Sequence, residues 1–157
     1  MTDGTIIPSY EEVELDTIVN SIITMHQTLI ESKEQRLDTQ IPKDVICKTD
    51  IQMLTRALSN VVLNAIQNTP ESGEICIWHE DSRLFILNKG ATINSAALSN
   101  VFEPFYREDK ARSSEVNRSG LGLTIVKKTL DCMGVKFSLE STNGGVCFWL
   151  ELPSHIE

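Results

Sequence analysis

No apolar stretch in this chain approaches the roughly 18 residues that a membrane-spanning helix requires, and its first residues carry no signal-peptide pattern. The sequence therefore predicts a soluble, cytoplasmic domain. It is also short of positive charge. Fourteen Lys and Arg stand against 22 Asp and Glu, a net −8 that argues against a chain-wide grip on nucleic acid or anionic lipid. Cysteines fall at 47, 76, 132 and 147, with no Cys-x-x-Cys pair and no His at zinc-ligand spacing, so they read as reduced core thiols. No internal repeat is visible, and 41% apolar with 23% charged residues excludes collagen-like, disordered and low-complexity classes. What remains is one globular domain in 157 residues.

Residues 1–14 are polar, acidic and interrupted by Pro8, and read as a lead-in; 15–153 read as the domain and 154–157 as a tail. From Asp16, a candidate N-cap, Leu15, Ile18, Val19, Ile22, Ile23, Leu29 and Ile30 recur at helical spacing as far as Glu34. Strands are expected at 36–41 and 44–48, around Pro42. Asp50 then caps a second helix, in which Ile51, Leu54, Leu58, Val61 and Ala65 form one buried stripe that stops near Thr69-Pro70. A hairpin at 74–80 and 83–88 turns at Asp81-Ser82. A short helix at 95–101 precedes a nearly apolar-free stretch, 106–119, which reads as a lid. A third helix opens near Leu121, turns Leu123, Ile125, Val126, Leu130 and Met133 inward and ends at Gly134. A closing hairpin, 135–140 and 146–152, flanks Asn143-Gly144-Gly145. This order predicts an α+β sandwich with helices on one face of a mixed sheet.

Four pieces carry chemistry. Asn60, Asn64 and Asn68 follow one another at i, i+4 and i+8, which sets three carboxamides beside the apolar stripe. An amide oxygen suits Mg²⁺, which binds through few protein ligands plus the phosphates of its substrate; the plainer reading is a solvated row, although Asn is a mediocre helix former. Ser119-Gly120-Leu121-Gly122-Leu123 leads into the third helix, where glycines admit phosphate to the backbone and the first turn's free N–H groups attract anions. Glycines there also serve close packing. The surroundings favour the anion: Arg107, Lys110, Arg112, Arg118, Lys127 and Lys128 outnumber Glu108, Asp109 and Glu115. With screening over about 8 Å, this local excess matters more to a phosphate than the total charge. Phe102-Glu103-Pro104-Phe105 forms an aromatic plug before the lid, or ordinary core with a turn proline. Asn88-Lys89-Gly90 ends a strand with an amide that can both donate and accept, the pairing that reads adenine, or is simply a turn.

In this order the pieces resemble the ATP-binding catalytic domain of sensor histidine kinases, in the gyrase and histidine-kinase ATPase superfamily, over about residues 12–153. Asp50 to Pro70 resembles the N box, Asn88 to Ile93 the G1 box, Phe102 to Arg107 the F box and Gly120 to Leu123 the G2 box. The resemblance implies a Bergerat-type two-layer sandwich with an ATP lid, and ATP and Mg²⁺ as cofactors. It puts Asn64 on the metal, Asn60 on metal or phosphate, and Asn88 on adenine. Asn68, Gly90, Ile93, Phe105, Tyr106, Arg107, Lys110, Arg112, Ser119, Gly120, Leu121, Gly122 and Leu123 complete the implied nucleotide site. The implied partners are a dimerisation and histidine phosphoacceptor domain and, through it, a response regulator, with no contact to nucleic acid or membrane by this domain.

Departures from the pattern are informative. The Asp that usually reads adenine is Asn88 and the second G1 glycine is Thr92, as in vancomycin-resistance-type sensor kinases. Gln67 and Asn68 stand where many relatives carry Lys and an aromatic, and Asn117 and Arg118 replace two G2 glycines. No His-Glu/Asp-x-x-x-Pro acceptor motif occurs. His26, followed by Gln27 and Thr28, reads as a helix-surface residue, His79 lies in a strand and His155 in the tail. The expected function is thus a catalytic domain that transfers the γ-phosphoryl of ATP to a histidine outside this chain, in the cytoplasmic part of a membrane-anchored sensor. It offers no general base of its own. The alternatives are a free-standing serine kinase of anti-sigma type and a nucleotide-binding regulatory module without turnover.

Overall fold

A computed structural model describes residues 7–89, 117–142 and 145–152 of the chain. Along it run β1 (Glu11–Glu14), α1 (Leu15–Met25), α2 (Gln27–Ser32), β2 (Arg36–Gln40), β3 (Ile46–Thr49) and α3 (Ile51–Asn68). Then come β4 (Glu74–Glu80), β5 (Arg83–Lys89), α4 (Asn117–Met133), β6 (Phe137–Thr142) and β7 (Gly145–Glu151). Five strands form one mixed sheet in the order β2-β4-β5-β7-β6, with β2 parallel to β4 and every other pair antiparallel. A separate antiparallel ribbon pairs β1 with β3, Glu11 opposite Thr49 and Glu14 opposite Ile46. This is the expected α+β arrangement.

Period-two alternation sends Ile75 and Ile77 of β4, Leu84 and Ile86 of β5, and Val146, Phe148 and Leu150 of β7 to one face. Against it lie Leu15, Ile18, Val19 and Ile22 of α1, Leu54, Leu58, Val62 and Ile66 of α3, and Val126 and Leu130 of α4. α3 is the centre of this layer, packed on α1, α4 and β5. Its start is set by Asp50, whose Oδ1 accepts the Met53 N–H at 2.9 Å and whose Oδ2 accepts the Ser9 N–H at 2.8 Å. Both bonds hold the Asp50 carboxyl below its ordinary range, the Met53 bond most strongly. The opposite face of the sheet carries both tryptophans: Trp78 stacks on Phe85 with centroids 5.0 Å apart, and the Arg83 guanidinium lies 3.8 Å over Trp149.

Several expectations need correction. Regular structure starts inside the supposed lead-in, because β1 finds a partner in β3. The first helix starts at Leu15, so Asp16 sits in its first turn, favourable to the dipole, and the capping position is Glu14, which makes no side-chain cap. That helix also breaks at His26, whose N–H is shared between the Ile22 and Ile23 carbonyls at 3.2 and 3.1 Å. His26 is no surface residue: it is half-buried and its Nε2 lies 3.0 Å from Ser59 Oγ. Burial lowers the pKa of its imidazole. Cys47 and Cys147 are buried thiols, whereas Cys132 is exposed and Cys76 half-buried. Ile125 is 37% exposed, on the solvent side of its helix. The β4–β5 hairpin is as expected, and its Asp81 and Ser82 have φ of 54° and 67°, as a two-residue turn with inverted twist demands. Gly134, with φ of 71°, closes α4 in the left-handed region. The expected short helix at 95–101 lies outside the described residues, as do residues 106–116 of the expected lid.

Candidate functional site

The asparagine row is built by α3. Asn60 and Asn64 are half-buried on the flank of its apolar stripe, and Asn68 is exposed at the last turn. Asn68 does not simply face solvent. Its Nδ2 donates to the Asn64 carbonyl at 2.8 Å and to Asn64 Oδ1 at 3.1 Å. An amide oxygen has two lone pairs, so this bond orients Asn64 Oδ1 and leaves one pair for a ligand. No group of three or more His, Cys, Asp or Glu able to hold a metal occurs among the described residues. A cation here would rest on neutral amide oxygens, water and the ligand's own phosphates, a donor set that fits Mg²⁺.

Arg56 stands one step earlier in the same four-residue series, and was not singled out from the sequence. With Ser59, Asn60, Gln52 and the 60%-exposed Met25 it lines an open groove of about 560 Å³. Continuing the i, i+4 spacing backwards from Asn60 would have found it.

Asn88 occupies the end of the buried row on β5. It shares the face of Leu84 and Ile86, is 7% exposed, and pairs in register with Ile75 on one side and Val146 on the other. A carboxamide between two aliphatic side chains at the rim of a core can hold a flat heterocycle by its edge, with apolar surface against the rings. Its neighbour Lys89 turns to the opposite face and donates to Glu74 Oε1 at 3.2 Å, a bond that raises the lysine's pKa. Gly145 is opposite Lys89. A Cβ there would collide with the Asn88 carbonyl oxygen and come within 2.9 Å of Lys89 Cα, so glycine is what lets β7 approach β5 at this end.

α4 starts at Asn117, four residues before the expected opening. Its packing along α3 outweighs the cost of two glycines in a helix interior, about 1 kcal/mol each. Ser119, Gly120, Leu121 and Gly122 thus lie within its first turns, and the N–H groups without intrahelical partners are those of residues 117–120. Leu123 is buried in the core at 6% exposure, so it offers the site packing rather than a polar contact. Gly90, Ile93, Phe105, Tyr106, Arg107, Lys110 and Arg112 lie outside the described residues. Among the described positions, Asn60, Asn64 and Asn68 lie on α3 and Asn88 on β5; α3 packs on β5 and on α4.

Comparison with known proteins bears on the family and the fold. Residues 49–156 match the family of histidine kinase-, DNA gyrase B- and HSP90-like ATPases. The sensor protein VanSB of Enterococcus faecalis is 48% identical over 157 residues, which covers 98% of this chain and 35% of that protein. The nucleotide-free catalytic domain of histidine kinase ThkA superposes with a TM-score of 0.79 at 26% identity, covering 92% of this chain and 95% of that domain. ThkA in complex with the response regulator TrrA matches with a TM-score of 0.78 at 25% identity, over 93% of this chain and 42% of that one. The chain spans about a third of the length of the curated relatives it matches. With the family matched over more than half its length and the fold shared with solved kinase catalytic domains, this chain belongs to the histidine kinase-, DNA gyrase B- and HSP90-like ATPases, as an ATP-binding domain of the sensor-kinase kind.

Proposed function

We propose that this domain binds Mg-ATP and presents its γ-phosphoryl group to a histidine on a dimerisation and phosphoacceptor domain, from which a response regulator takes it. The observation that carries the reading is Asn64 Oδ1, held by Asn68 on the central helix of an ATPase fold whose buried Asn88 closes the same core. Asn88 donates to a ring nitrogen and accepts from the exocyclic amine of adenine, while Ile75 and Val146 flank the base. Asn64 and Asn60 hold the metal end. Bound Mg²⁺ would neutralise charge on the β- and γ-phosphates, which with positioning makes up most of phosphoryl-transfer catalysis. The N–H groups of the first turn of α4, with Arg107, Lys110 and Arg112, would supply the remaining positive potential.

We assign the proton of the acceptor histidine to a group on its own domain; among the described residues, His26 is tied to Ser59 and His79 sits within a strand. ThkA in complex with TrrA supports a regulator as the next partner, reached through the acceptor domain. No helix among the described residues is long and apolar enough to cross a membrane, and we place the domain in the cytoplasmic part of a membrane-anchored sensor.

Titration calorimetry with a non-hydrolysable ATP analogue and Mg²⁺ tests the first half. Saturable binding is expected, and its absence at millimolar nucleotide refutes the proposal. Labelled ATP and a separately made acceptor domain test the second. The product should be acid-labile, as phosphohistidine is, whereas an acid-stable phosphoester would mean a hydroxyl acceptor and a serine kinase instead.

A further inference from the structure

The last turn of α3 is held by two residues that no nucleotide motif includes. An α-helix leaves its final carbonyls without intrahelical donors, and here those of Ala65, Ile66 and Gln67 all find partners. Thr69 Oγ1 donates to the Ala65 carbonyl at 2.7 Å. Lys33 Nζ, from the turn between α2 and β2, donates to the Ile66 carbonyl at 2.7 Å and to that of Gln67 at 3.4 Å. Gln35 Nε2 donates to the carbonyls of Ile66, Thr69 and Pro70 at 3.0, 2.9 and 3.4 Å. The two turns are further knotted by their backbones: Ser72 N–H to the Lys33 carbonyl and Arg36 N–H to the Gly73 carbonyl, both 2.9 Å.

This arrangement is costly to maintain. Gln35 is 8% exposed, and its Oε1 is buried without a partner, a loss accepted so that its amide nitrogen can serve three carbonyls. Glu34 and Ser72 adopt left-handed backbone with φ of 55° and 63°, one in each turn. Gly73 is needed because a Cβ would press on Thr69 Cγ2 and on the Pro70 carbonyl at 2.8 Å. Burial pushes the Lys33 pKa down, against the raising influence of Glu71. A capped helix end alone does not call for two separate donors reaching across more than thirty residues.

We infer that Lys33 and Gln35 are positioning residues for the metal end of the nucleotide site: by fixing the last turn of α3 they fix Asn68, and Asn68 in turn orients the amide oxygen of Asn64. The inference rests on the proposed function, since it concerns the ligand that Asn64 is taken to hold. It places the control of metal geometry in the turn between α2 and β2, outside all four nucleotide boxes.

The test is binding of a non-hydrolysable ATP analogue to the full chain, measured once with Mg²⁺ and once with EDTA. Loss of a group that orients a metal ligand typically costs 10–100-fold in metal affinity. Lys33→Met and Gln35→Leu should therefore weaken the Mg²⁺ complex about tenfold, leave binding in EDTA within about twofold, and raise the Mg²⁺ concentration needed for half-maximal effect. Lys33→Arg, which keeps a cationic donor, should restore most of the Mg²⁺ dependence. Equal losses with and without metal would show a general structural role and overturn the inference, as would unchanged binding in Lys33→Met, the milder variant if Gln35→Leu does not fold. Failure of the unsubstituted chain to bind in either condition would instead refute the nucleotide reading itself.

Discussion

Gly145→Ala and Gly134→Ala remove a hydrogen from two glycines that are needed for different reasons, and the contrast measures how closely the sheet is fitted at Asn88. Gly134 has φ of 71° and open space where a Cβ would go, so alanine costs backbone strain alone, about 1 kcal/mol. At Gly145 the added methyl meets the Asn88 carbonyl oxygen, Lys89 Cα at 2.9 Å and the Asn88 carbonyl carbon at 3.0 Å. All three are backbone atoms, held by pairing on both edges of β5, and none can swing aside as a side chain would. Strands β5 and β7 must part at this end, an overpacking that costs about 2 kcal/mol. For 157 residues the unfolding entropy is about 0.33 kcal/mol/K, so the expected falls in Tm are about 6 °C for Gly145→Ala and about 3 °C for Gly134→Ala.

Nucleotide binding should separate the two more sharply. Parting β5 from β7 displaces Asn88, and a loss of about 1.4 kcal/mol there is tenfold in affinity. Gly134 lies at the far end of α4 from the turns that carry Gly120 and Gly122, roughly 20 Å away at about 1.5 Å per residue, and its substitution should leave affinity unchanged. Thermal unfolding followed by circular dichroism, and calorimetric titration with a non-hydrolysable ATP analogue, give both numbers. If Gly145→Ala unfolds no earlier than Gly134→Ala, or unfolds earlier while binding nucleotide as tightly, then the close approach of β7 does not position Asn88.

Three further outcomes follow from single contacts. Asn88→Asp should tighten nucleotide binding about fivefold, the difference of about 1 kcal/mol between charged and neutral hydrogen bonds, while lowering the Tm of the unliganded chain because a carboxylate replaces an amide between Ile75 and Val146. Asp50→Ala should cost about 1 kcal/mol and about 3 °C in Tm at neutral pH. Because the folded carboxyl titrates below its unfolded value of about 3.9, that difference is present above pH 4 and fades as pH falls through the folded value. The pKa of His26 is lowered in the fold, so the unfolded chain takes up its proton first as pH drops below about 6.5 and stability falls with it. His26→Gln should flatten that part of the pH profile in chemical denaturation between pH 7.5 and 5.5.

The elements legible in the sequence were those whose pattern and purpose coincide locally. Asp50 before a run at three- and four-residue spacing announced α3, and two polar residues between alternating strands announced the β4–β5 turn. Partners distant in sequence were not legible. Residues 11–14 look like solvent-facing acid until β3 is folded beside them, and nothing near His26 announces Ser59, thirty-three positions away. The expected start of α4 is too late because Gly120 and Gly122 read as a phosphate-admitting lead-in to the helix, whereas they lie inside it, where it packs on α3. Of the site, the residue types were readable from spacing and resemblance. The means by which they are held was not, since two of the side-chain donors to α3's last turn, Lys33 and Gln35, stand in no motif.

The metal end and the base end of the site are consequently held by different devices. Asn88 is set by strand pairing and by the absence of a side chain at Gly145; Asn64 is set by a helix terminus clamped from the turn between α2 and β2. Perturbations of the two should differ in kind. Gly145→Ala should weaken nucleotide equally with Mg²⁺ and with EDTA, because adenine is read without metal, while Lys33→Met should act only where Mg²⁺ is present. If the devices share no partner, their effects on Mg²⁺-nucleotide affinity should add to within about 0.5 kcal/mol in the double variant. A larger interaction energy would mean that α3 and β5, which pack directly, shift together, and that the two ends of the site move as one body.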